Sequence, residues 1–181
     1  MSVLMNYEKG RLVLIKAEIA VKDACILIDL VELGLIQSFY RLNIVAYTTP
    51  QVMAEITQEE QLKVITEHID NANLKIDGDG LFETISQIAQ QNRGLSFADC
   101  SVLEVGLRRN CMILSSDGSL RKMAISSNLT VRGLIWVIEE LYINGIIGKE
   151  SAIKKLEEYL IVNERAPNKE VEGLINKLKQ L

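Results

Sequence analysis

The sequence has one histidine, two prolines and three cysteines among its 181 residues, and each scarcity removes a class of function. The single His68 sits in an acidic stretch, which argues against a histidine-based nuclease and against a zinc site. Cys25, Cys100 and Cys111 are odd in number and show no C-x-x-C spacing, so free thiols in a reducing cytosol are expected rather than a disulfide framework. Long apolar runs are missing too. The best candidate, Ala24–Ile36, is broken by Asp29 and Glu32 and falls short of the ~20 residues of a membrane span. The N-terminus has neither a basic n-region nor an apolar h-region, so a cytoplasmic rather than a secreted protein is expected. Glycine-rich phosphate loops and a G-x-S-x-G elbow are absent.

What is present is a globular composition, 48% hydrophobic and 24% charged. A chain of this length buries roughly 70% of its unfolded surface and needs no covalent or metal staple to fold. The formal net charge is −4, which does not mark a nucleic-acid binder, but the charge is unevenly spread. From Glu55 to Glu83 there are eight acids against two lysines; from Gly106 to Arg132 there are five bases against Asp117 alone. Two solvated faces would account for this.

The chain alternates short strands with helices. Strands are expected at Glu18–Lys22, Ile44–Thr48, Asn73–Ile76, Cys111–Leu114 and Leu129–Val131. Helices are expected at Ala24–Leu35, Ile36–Leu42, from Thr49–Pro50, at Glu59–Asn71, Leu81–Gln91, from Ser96 to Arg108, at Leu120–Ile125, and over 133–144, 149–162 and 168–180. Residues 1–17 form an N-terminal extension, either a hairpin about Lys9–Gly10, an added strand or a loose arm. Residues 18–148 form the main domain, with the helices of 149–181 packed on it. Such alternation implies a parallel sheet covered on both faces, and in such sheets ligands sit beyond the carboxyl ends of the strands.

Four carboxylates draw notice under that rule. Asp23 follows the first of these strands directly, and Asp117 lies three residues past the Cys111–Leu114 strand, so both belong on one rim. Glu55 lies in the helix after Ile44–Thr48, and Asp99 in the first turn of the Ser96 helix. Each has a structural explanation: Ser96 and Asp99 form a capping-box pattern, Asp117 suits a turn or N-cap, and Glu55 suits a solvated helix face. Asp23, between a strand and an apolar helix, has no obvious local partner, and an uncompensated carboxylate there is costly.

These residues carry a resemblance. Asp23-Ala-Cys-Ile-Leu-Ile, Val52-Met-Ala-Glu55, Leu95-Ser-Phe-Ala-Asp99 and Ile113-Leu-Ser-Ser-Asp117 resemble, in order and spacing, the motifs of the PIN-domain family over about Glu18 to Gly133. The resemblance implies an α/β three-layer sandwich around a mainly parallel sheet of about five strands. It also implies an acidic pocket holding Mg²⁺ or Mn²⁺ and hydrolysis of phosphodiester bonds, usually in RNA. By it, Asp23, Glu55, Asp99 and Asp117 are the catalytic acids, with Asp23, Asp99 and Asp117 as metal ligands and Ser115 as the pocket hydroxyl. Cys25 departs from the family, which commonly has Ser, Thr or Asn there. The chain also exceeds the compact toxin members at both ends.

A hard cation with oxygen ligands is what converging carboxylates require, and it would activate water and neutralise the leaving oxygen. Arg108, Arg109, Arg121, Lys122 and Arg132 flank the two later acids in sequence, where a phosphate backbone could be held. The expected function is therefore a metal-dependent endoribonuclease, with the toxin of a toxin–antitoxin pair as a narrower version whose partner is a small antitoxin. The alternative is a PIN-like module that binds RNA or protein without cutting. A receiver-type phosphoacceptor would need paired acids after the first strand and a lysine after the fifth, and Thr130-Val131-Arg132 offers none. Leu134, Ile135, Val137, Ile138 and Leu141 are apolar enough for the core or for a homodimer interface.

Overall fold

The computed structural model describes residues 5–8, 11–14, 17–21 and 24–180, with side chains described over 24–180. Strands β1 (Met5–Glu8) and β2 (Arg11–Leu14) pair antiparallel, Met5 opposite Leu14 and Glu8 opposite Arg11, which is the hairpin alternative for the N-terminal extension. The remaining strands, β3 (Ala17–Val21), β4 (Ile44–Thr48), β5 (Leu74–Ile76), β6 (Met112–Leu114) and β7 (Val131–Arg132), form one parallel sheet in the order β5-β4-β3-β6-β7. Parallel neighbours need long crossovers, and the helical segments between the strands supply them.

Between β3 and β4 lie α1 (Ala24–Glu32) and α2 (Ile36–Phe39); α3 (Pro50–Met53) and α4 (Glu59–Asp70) join β4 to β5. Helices α5 (Phe82–Gln91) and α6 (Phe97–Arg109) lead to β6, and α7 (Gly118–Ser126) leads to β7. The chain ends with α8 (Leu134–Ile143), α9 (Lys149–Val162) and α10 (Asn168–Gln180). None of these is long and apolar enough to cross a membrane.

Alternation along the strands divides the core in two. Ile44, Ala46 and Leu114 join one apolar cluster, while Val45, Tyr47 and Ile113 join another, as successive strand residues must face opposite sides. The first cluster takes Leu27 and Leu30 of α1, Phe39 of α2, Ile65 of α4, Ile138 of α8, Leu156 of α9 and Leu178 of α10. The C-terminal helices thus complete this core rather than lie loosely on it. The second takes Val52 of α3, Val102 and Val105 of α6, and Leu120 of α7. Gly106 permits the approach of α6 to β6, because a Cβ there would lie 2.8 Å from Ile113 Cδ1.

An ion-pair clamp fixes the carboxyl end of α6. Asp77, just past β5, donates its backbone N–H to the Thr48 carbonyl at 2.7 Å. Its carboxylate is fully buried and accepts from Arg108 Nη2 at 2.6 Å and Arg109 Nε at 2.5 Å. Arg108 Nε also donates to Glu104 Oε1 at 2.7 Å, and the Arg109 guanidinium lies 4.1 Å from the centroid of the Tyr47 ring. Burial by itself would raise the Asp77 pKa, but the hydrogen bonds from Arg109 and Arg108 outweigh it and hold the carboxyl below its ordinary value.

A carboxylate with a depressed folded pKa stabilises above its unfolded pKa and loses that contribution as pH falls through the folded one. Because the two arginine side chains remain 33% and 25% exposed, Asp77→Asn should cost about 2 kcal/mol at pH 7, below the range for fully buried pairs. Urea denaturation of wild type and variant should show that gap at pH 7 and a smaller one at about pH 3. A gap that does not narrow in acid would show that the charge of Asp77 is not what the clamp uses.

Candidate acidic site at the carboxyl edge of the sheet

Because β3 is parallel to both β4 and β6, the residues following β4 and β6 emerge at one rim. The register puts Ala20 opposite Tyr47 and Val21 opposite Leu114, so the strands end nearly level. A cavity of about 530 Å³ opens there. Glu55 and Asp117 line it together with Cys25, Asp29 and Glu32 of α1 and with Asn163, Glu164 and Arg165 of the α9–α10 connection.

Asp117 is the N-cap of α7, its Oδ1 accepting from the Leu120 N–H at 2.8 Å. Ser115, fully buried, accepts the Asp117 N–H on Oγ at 3.0 Å and so sets the turn that presents the acid. Asp99 is buried in the first turn of α6. Its Oδ2 accepts from the Ser96 N–H at 2.8 Å and its N–H donates to Ser96 Oγ at 3.0 Å, a complete capping box. Asp99 does not line the cavity that holds Glu55 and Asp117. Asp23 lies outside the described residues.

Glu55 is not in a helix. After the Pro opening and the Thr49 cap, α3 ends at Met53, and the next hydrogen bonds, from Glu55 N–H to Val52 O and Ile56 N–H to Met53 O, tighten to three-residue spacing. Burial of Ile56 in the first core cluster pulls the chain off the helical path, leaving Glu55 exposed in the turn.

Arg108 and Arg109, expected to face a phosphate backbone, are engaged with Asp77 and Glu104 instead. The adjacent pair Arg108 and Arg109 is thereby committed to one buried carboxylate. Arg121 remains at the rim, its Nη1 donating to the Ser115 carbonyl at 3.0 Å, and Lys122 is exposed on α7.

Asp29 was not among the expected site residues. It is buried on α1, and its Oδ2 accepts from Asn163 Nδ2 at 2.9 Å. The signal was legible: a carboxylate inside an apolar helical run is costly unless partnered. Thr49 Oγ1 accepts the Val52 N–H at 3.2 Å and lies 2.7 Å from Ser101 Oγ, which donates to the Ala98 carbonyl, so Thr49 is the donor to Ser101. That link holds the start of α6 against the end of β4.

Chemically the cavity is lined by carboxylate oxygens, the donor type that suits Mg²⁺ or Mn²⁺ better than zinc. Among the described residues, no three of His, Cys, Asp and Glu stand close enough to hold a metal ion. Burial, and then the neighbouring Asp99 charge, raise the pKa of the Cys100 thiol, which leaves it unsuited as a nucleophile.

The chain belongs to a PIN-domain family, whose model (DUF3368: PIN domain) matches residues 19–180. PIN domains are typically metal-dependent nucleases. Among solved structures, the crystal structure of PAE2754 from Pyrobaculum aerophilum is 15% identical, covering 70% of this chain and 98% of that one with a TM-score of 0.48. No curated protein matches the chain.

The observed caps generate a prediction. In EDTA, Asp99→Ala and Asp117→Ala should each lower stability by about 1 kcal/mol, since a helix N-terminus loses its hydrogen bond and a favourable charge. Thermal or urea melts measure it. Variants as stable as wild type would mean that mutual repulsion among the acids cancels what the caps contribute.

Proposed function

We propose that this chain is an endoribonuclease that hydrolyses phosphodiester bonds with a bound divalent cation. The observation that carries the reading is Glu55 and Asp117, from different strand ends, meeting in one carboxylate-lined cavity of a chain that belongs to a PIN-domain family. In this reading Asp23, Asp99 and Asp117 hold Mg²⁺ or Mn²⁺, with Asp23 supplying the ligand that the described residues lack. When bound, such an ion supplies positive charge against the phosphate and acidifies the attacking water. Glu55 is the further carboxylate of the pocket. Ser115 fixes the Asp117 turn. Arg121, which lines the adjoining cavity, and the exposed Lys122 belong to the helix that Asp117 caps and attract the RNA backbone.

The narrower role, the toxin of a toxin–antitoxin pair, is part of the same proposal. The chain's partner in that role is a small antitoxin. A second reading, a module that binds RNA or protein without cutting, is favoured by the capping bonds already made by Asp99 and Asp117.

Purified protein should cleave RNA in Mg²⁺ or Mn²⁺ and stop in EDTA, and Asp23→Asn and Asp117→Asn should each reduce the rate by about 100-fold or more. RNA that is bound but remains intact in both metals would favour the second reading. Cleavage that persists in both variants would place the activity elsewhere.

A further inference from the structure

A second cavity, of about 540 Å³, adjoins the acidic one, and Ser116 and Arg165 line both. Its character is opposite. Arg121 of α7, Arg132 of β7 and Arg165 of the α9–α10 connection line it together with Trp136 of α8. Among the described residues none of these arginines forms an ion pair. Arg121 is steadied by its bond to the Ser115 carbonyl, with other N–H groups of its guanidinium left over. The acids in the lining are Glu139 and Glu170, and Glu139 is paired with Lys177 Nζ at 2.8 Å. Trp136 is half-buried, packs against the first apolar cluster and lines the cavity with its remaining surface.

The chemistry of such a cavity is that of a nucleotide. Guanidinium groups bind phosphate through paired N–H donors, and an indole offers the best aromatic face for a stacked base. The volume lies in the range of about 300–1,000 Å³ that holds small ligands. A base inside a duplex is already stacked on its neighbours, so only an unpaired one can lie on Trp136.

We propose that this cavity binds one unpaired nucleotide of single-stranded RNA, with its base on Trp136 and its phosphates on Arg121, Arg132 and Arg165. The adjoining phosphodiester then enters the acidic cavity. This second part rests on the nuclease reading, and the first does not. Arg165, on the seam of the two cavities, offsets the repulsion between the acids and the incoming strand.

Trp136 is the only tryptophan in the chain, so intrinsic fluorescence reports on the cavity directly. The full chain is titrated in EDTA with a single-stranded oligoadenylate of about eight nucleotides, with an abasic strand of equal length, and with duplex RNA. The expected result is saturable quenching by the single strand, about 10-fold weaker binding of the abasic strand, and no quenching by the duplex. Arg132→Ala/Arg165→Ala, two exposed positions whose loss leaves the fold intact, should weaken binding about 10-fold and lower the salt slope by about two. Trp136→Leu, followed by anisotropy of a labelled strand, should weaken it by a similar factor. Absent quenching, equal quenching by abasic strand or duplex, or an unaltered arginine variant would overturn the proposal. Quenching as described with RNA that is never cut in Mn²⁺ would leave the subsite standing and remove the nuclease reading. Cleavage in Mn²⁺ with a silent Trp136 would do the reverse.

Discussion

The parallel pairing of β3 with both β4 and β6 is the constraint on which the rest depends. It brings the carboxyl ends of strands from distant parts of the chain to one level, Val21 against Leu114 and Ala20 against Tyr47. Asp117 reaches the rim cavity by following β6, and Glu55 by following β4. A slip of one residue would turn Ile44 and Ala46 away from the first core cluster and move each rim residue by about 3.3 Å. The two apolar clusters, one on each face, therefore hold the register on which the site geometry rests.

Gathering carboxylates at such a rim is opposed by their repulsion, and the fold meets this with local devices. Asp117 sits at a helix N-terminus, where backbone N–H groups and the helix dipole favour negative charge, as does Asp99 outside the cavity. Asp29 accepts from Asn163, and Arg165 lies in the same lining. In each cap one carboxylate oxygen is fixed by a backbone N–H, from Ser96 to Asp99 and from Leu120 to Asp117, which sets the orientation of the acid.

Most elements were legible in the sequence because their signals are local. The β-branched and aromatic run Ile44–Thr48, the Ser96 capping box and the Asp117 turn each depend on neighbours within a few residues. What the sequence hid was tertiary. Asp77 lies just past the strand expected at Asn73–Ile76, yet it anchors Arg108 and Arg109, more than thirty residues on. A basic segment continuous in sequence is therefore split between a structural clamp and the rim. Arg165 and Trp136 fall outside that segment and meet Arg121 and Arg132 only through the packing of α8 and the α9–α10 connection. Glu55 is expected in the helix that follows Ile44–Thr48, but that helix ends at Met53 and Ile56 turns into the core.

The central claim is that the carboxylates of this rim share a divalent cation. Anomalous scattering from crystals grown with Mn²⁺ tests it most directly. The account predicts a peak about 2–2.5 Å from carboxylate oxygens of Asp23, Asp99 and Asp117, at the edge of the cavity lined by Glu55. A strong manganese peak elsewhere on the molecule, or none at saturating Mn²⁺ with these side chains ordered, would contradict it.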